Sequence, residues 1–128
     1  MSYYFAKRLS VTFEAAVEAV TMALKAQGFG ILTEIDVKAT LKEKLGVDFR
    51  KYRILGACNP PFAYKALQAE DKIGLMLPCN VIVQEHDKGE VEVAVIDPVA
   101  SMNAVGTQDL AAVGMEVQKR LAAVIEGL

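Results

Sequence analysis

The tripeptide Asp87-Lys88-Gly89 separates two strand-length apolar runs, Cys79 to Asp87 and Glu90 to Asp97. A short Asp/Gly-containing break between two such runs is a strong hairpin signal. These two strands must therefore be antiparallel neighbours, and any fold for this chain has to be built around them. Asp97-Pro98 ends the second strand, because proline carries no amide for the ladder.

Upstream of the hairpin, strands and helices alternate with short punctuation and no linker. Tyr3 to Leu9 reads as a first strand. Thr12 is placed to cap a helix, with Glu14 in the first turn where the helix dipole favours an acid. Phe13, Ala16, Val17, Val20 and Leu24 then recur at three- and four-residue spacing, and Gly28 stops the helix. Phe29 to Asp36 reads as a strand with Phe29, Ile31, Thr33 and Ile35 on one face. Asp36 caps a short helix carrying Val37, Leu41 and Leu45, which ends at Gly46. Arg50 to Cys58 forms a third strand, with Tyr52, Ile54, Gly56 and Cys58 on one face. Asn59 is the natural cap of a helix that opens on Pro60-Pro61, where missing amides cost nothing, and runs to about Glu70. Asp71 to Pro78 and Val99 to Thr107 read as loops. The last helix carries Leu110, Val113, Val117, Leu121 and Val124 as its stripe.

The order βαβαβαββα predicts an α+β fold in one domain over residues 1–128. It consists of a mixed five-stranded sheet with helices packed against it in two layers. A chain of 128 residues is too short for two good cores, and its 53% hydrophobic content supplies one. Aromatic residues are 7% of the chain with no Trp, so that core is aliphatic.

The net charge of −2 argues against nucleic acid as a partner, since no basic surface is available to release counterions. Lys42, Lys44, Arg50, Lys51 and Arg53 come nearest, but Glu43 and Asp48 dilute them, and a solvated face outweighs an anion site there. No apolar stretch reaches bilayer length, and the N-terminus lacks a secretory pattern. The expectation is a cytoplasmic protein with no membrane partner, whose two cysteines are free thiols.

Those two cysteines sit in phrases that echo each other: Gly56-Ala57-Cys58-Asn59-Pro60-Pro61 and Leu77-Pro78-Cys79-Asn80-Val81. Each cysteine is followed by asparagine and lies beside a proline where a strand meets a non-strand segment. A thiol ahead of a helix N-terminus meets unpaired amides and a positive dipole end. Three readings stand side by side: small buried hydrophobes, walls of a ligand pocket, or redox and sulfur chemistry. Without Cys-x-x-Cys, a thioredoxin-type mechanism is disfavoured. His86 is the sole histidine, and two cysteines with one distant histidine make an incomplete zinc set. Asp97 closes an apolar strand and either forms a turn or faces a cleft; the turn is favoured. Nucleophile-elbow, dinucleotide and Walker patterns are absent, so the chain leans away from an enzyme and no cofactor is expected. Met76 and Met102 fall in connections rich in apolar residues, which suits a contact with a second copy of the chain.

Leu55-Gly56-Ala57-Cys58-Asn59-Pro60, Gly74-Leu75-Met76-Leu77-Pro78-Cys79-Asn80-Val81, Gly28-Phe29, Thr40 to Gly46 and Asp97-Pro98 with Met102 together resemble the family called domain of unknown function 302. The resemblance covers essentially the whole chain. It implies a small α+β domain, a homodimer and no established reaction. Its motif residues fall here on Glu43, Cys58, Asn59, Pro60, Pro78, Cys79, Asn80, Asp97 and Met102. The leading functional expectation is a dimeric module that takes a small molecule near the two Cys-Asn phrases, with Cys58, Asn59, Pro60, Cys79, Asn80, Asp97, Met102 and Glu43 as candidate ligand-binding residues. Thiol-based redox, sulfur handling or soft-metal capture is one alternative; a purely structural, partner-binding subunit is the other.

Overall fold

The structure, a computed structural model, describes residues 2–128. Five strands form one sheet in the order β1-β5-β4-β3-β2: β1 (Tyr4–Leu9), β2 (Gly30–Asp36), β3 (Tyr52–Cys58), β4 (Cys79–Glu85) and β5 (Val91–Ile96). Every neighbouring pair is antiparallel, so the sheet is not mixed. The reason lies in α2 (Val37–Leu45), which buries none of its residues. A parallel crossover must lay an apolar helix across the sheet face. This helix instead hangs from the β2–β3 connection, with Leu45 69% exposed, and the chain returns beside the strand it left. Asp36 accepts from the Ala39 amide at its start, and left-handed Gly46 closes it.

Helices α1 (Phe13–Ala26) and α5 (Gln108–Glu126) cover one face of the sheet. Thr12 caps α1 through the Ala15 amide, and its stripe of Phe13, Ala16, Val20 and Leu24 is buried. From α5, Leu121, Val124 and Ile125 complete the layer. They meet Leu55, Ala57, Cys79, Val81, Val83, Val91, Val93 and Val95, the helix-facing alternation of β3, β4 and β5. Each fully buried aliphatic side chain of this kind contributes about 1.5–3 kcal/mol. The face carrying Tyr52, Ile54 and Gly56 is therefore the one turned away from the helices. In β2 the expected alternation breaks at a register shift between Ile31 and Thr33: Ile31 packs on the core while Ile35 is exposed.

Two connections read as loops contain helix. Ile73–Met76 forms a 3-10 turn, and Pro98–Asn103 forms α4, capped by Asp97 through the Val99 amide. With Ala66 of α3 (Pro60–Ala69) and Leu110, their Ile73 and Met102 make a second small apolar cluster at one end of the sheet. The apolar character of both connections is thus largely spent inside the molecule, though Leu75 and Met76 stay exposed. No helix is long and apolar enough to cross a membrane among the described residues.

Candidate functional site

Between the main core and the second cluster lies a cavity of about 290 Å³. The ends of β3 and β4 form its floor, α3 one wall, and α4 with α5 the other. Its space exists because α3 turns small side chains inward: Ala63 and Ala66 line it where larger residues would fill it. Phe29, Phe62 and Val117 supply much of the remaining apolar surface.

Both cysteines line this cavity. In the β3–β4 ladder Cys79 stands opposite Ala57, so Cys58 is one residue beyond its cross-strand partner. Strand spacing and rise put the two Cα atoms about 6 Å apart, close enough for both side chains to meet one ligand. Both are free thiols, Cys79 buried and Cys58 half-buried. Burial pushes the Cys79 thiol up from 9.0 to about 11, and the nearby Cys58 adds to the rise. Cys79 is thus held neutral, a poor nucleophile at physiological pH.

Asn59 follows Cys58 and takes the N-cap position of α3, but its side chain makes no capping hydrogen bond. Only its backbone carbonyl caps, accepting from the Ala63 amide. The amide side chain lines the cavity instead, in a residue only 7% exposed. The expected Asn59 cap is therefore corrected: the prolines at the first two helical positions already remove two of the orphan donors a cap would serve. Met102 also lines the cavity, and Pro78, joined to Leu77 by a cis bond, forms part of its rim.

The remaining candidates lie elsewhere. Pro60 opens α3 outside the lining. Asn80 alternates to the other sheet face, where it borders a more polar cleft with Tyr52, Gln84 and Glu92. Asp97 is spent on structure: it accepts from the Val99 amide at 3.0 Å and from Gln118 Nε2 at 3.0 and 3.1 Å, tying α4 to α5. Glu43 sits on solvated α2, away from the cavity. His86 bonds Glu92 at 2.9 Å near the hairpin. Among the described residues no three His, Cys, Asp or Glu side chains gather closely enough to hold a metal ion.

Sequence reading missed Arg120. Its guanidinium stacks 5.1 Å from the centre of the Phe62 ring and donates from Nη1 to the Gln27 carbonyl at 3.2 Å. It comes from α5 onto Phe62, a wall of the cavity, without lining the cavity itself, and nothing in its local sequence marks it out.

The model of the family described as a domain of unknown function, DUF302, matches residues 5–128. No curated protein matches the chain. Among solved structures, the crystal structure of an uncharacterized conserved DUF302 protein from Bacillus stearothermophilus superposes with a TM-score of 0.91 at 28% identity, covering 98% of each chain. The match along nearly the full length, on the same fold, establishes that this chain belongs to the DUF302 family.

Proposed function

We propose that this domain is a non-enzymatic module that binds a small, largely apolar molecule in the cavity beside Cys58, Asn59 and Cys79, and that it works as a homodimer. The observation that carries the reading is the cavity itself: about 290 Å³ of space with almost wholly apolar walls. Native interiors are close-packed, so a space of this size bordered by a few polar groups has the character of a ligand site. The second copy is supported by apolar surface left open in one chain: exposed Leu75 and Met76 beside the cavity, and the helix-free sheet face, where Ile54 and Ile82 are half-buried. Cytoplasmic location accords with the two free thiols.

Thiol chemistry is the second reading, favoured by two sulfurs in one cavity. The raised pKa of Cys79 confines any nucleophilic role to Cys58.

Native mass spectrometry of protein purified without denaturation tests the proposal. A dimer carrying a small organic adduct, lost on introducing Ala63→Leu, is the expected result. A bare monomer that also shows no response to short-chain aliphatic probes would refute it.

A further inference from the structure

We infer that the ligand of this cavity carries a carboxylate, held at the mouth between Asn59 and Arg120, with its aliphatic body inside; this rests on the ligand-binding reading above. Apart from the two thiols, Asn59 supplies the only polar side chain in the lining. It is more than nine-tenths buried and has no side-chain hydrogen-bond partner among the described residues. No buried side-chain polar atom is left unpaired among the described residues, so the Asn59 amide keeps access to solvent and can offer its Nδ2 to a ligand oxygen.

Three further observations converge on an anion. Gly28, with φ of +86°, is closely approached by both side chains: a Cβ there would stand 3.0 Å from Asn59 Nδ2 and 3.7 Å from Arg120 Nη1. Two donors thus lie against the same glycine, close to one another. Arg120 spends Nη1 on the Gln27 carbonyl and places Nε 3.4 Å from Glu116 Oε1, while Nη2 has no partner among the described residues. The guanidinium rests on Phe62, itself a wall of the cavity, so a positive charge stands next to the apolar lining. Finally, α3 starts at this point without a side-chain cap. The Phe62 amide there has no intrahelical acceptor, and the positive end of the helix favours negative charge. Glu116, the one carboxylate on the guanidinium, is half exposed and screened by solvent.

An amide, a guanidinium and an uncapped helix start above an aliphatic chamber select a monocarboxylate with a hydrocarbon tail. Octanoate and 1-octanol share the tail and differ at the head, so they serve as probes on the intact protein, followed by methyl and amide NMR shifts. Octanoate should bind at least about tenfold more tightly than octanol, the scale of one charge-assisted contact. Its shifts should centre on Cys58, Ala63 and Met102. Arg120→Gln should erase most of that preference, and Asn59→Ala should lower octanoate affinity further. Equal binding of the two probes would overturn the carboxylate assignment and leave the pocket standing. No binding by either, or shifts confined to another surface, would overturn both.

Discussion

Pro78 lies directly over Gly56: a Cβ on Gly56 would come within 2.7 Å of Pro78 Cγ and closer still to Thr33 Oγ1. The glycine lets the ring settle onto β3, and the ring in turn forms part of the cavity's rim. Gly56→Ala forces both neighbours aside. Overpacking of this kind costs about 1–3 kcal/mol. Urea titration should show a lower midpoint with an unchanged slope; a midpoint equal to the parent's would mean that Thr33 and Pro78 yield freely.

The ladder around that glycine was only partly legible in the sequence. Thr12, Asp36 and Gly46 announced helix ends because capping is local chemistry, and the Asp87–Gly89 turn fixed the hairpin. The α+β class followed from these local signals, whereas the approach of Cys58 to Cys79 hung on β3 and β4 being neighbours, which no local signal fixes. Strand direction did not follow either, because nothing in residues 37–45 says whether the helix crosses a sheet or hangs from its end. Helix α4 escaped because six residues are too few for a periodic stripe, although Asp97-Pro98 repeats the cap-then-proline signal of Asn59-Pro60. Arg120 escaped because its placement depends on α5 packing beside α3, a long-range event. Glu43 was carried by family resemblance alone, and no contact joins it to the cavity.

The two thiols should separate under alkylation. Cys58 is half-buried and should react first, whereas Cys79, with a pKa of about 11, should stay protected until the pH is far higher or the chain unfolds. Mass spectrometry after timed iodoacetamide treatment reads both sites. Two sites reacting at equal rates would contradict the burial of Cys79.

The same shift has a consequence for stability. Below pH 9 the Cys79 thiol is neutral in both folded and unfolded chains, so the pH has no hold on it. Above pH 9 the unfolded thiol releases its proton while the folded one keeps it. The unfolded state then binds fewer protons, and stability falls as pH rises. The loss accumulates between pH 9 and about 11 and reaches on the order of 2–3 kcal/mol. Cys79→Ala should flatten that limb of a stability–pH curve, whatever its cost at neutral pH.

Asp97 should prove structural. Asp97→Ala removes the cap on Val99 and both contacts from Gln118, loosening α4 from α5. A lost cap and a stranded amide together amount to about 1–3 kcal/mol. Asp97→Asn keeps an oxygen for the cap and should recover roughly half of that. Thermal melts of the two variants decide the matter: an alanine variant with the parent's melting temperature would show that the cap carries no weight.

Ala63 offers the sharpest separation of folding from binding. It lines the cavity from α3 and is only partly buried, so a larger side chain can grow into free space without striking the core. Ala63→Leu adds three carbons inside the chamber. Each newly buried methylene contributes about 0.8 kcal/mol, which offsets the strain of repacking, and stability should hold or rise. Aliphatic ligands would then compete with the new side chain for the same volume, and octanoate affinity should fall about tenfold or more. Glu43→Gln, on exposed α2, is the matched control and should change neither quantity. Calorimetric titration of both variants, paired with melts, reads the outcome. If Ala63→Leu bound octanoate as the parent does, the probe would be seated somewhere other than the chamber beside Cys58 and Cys79.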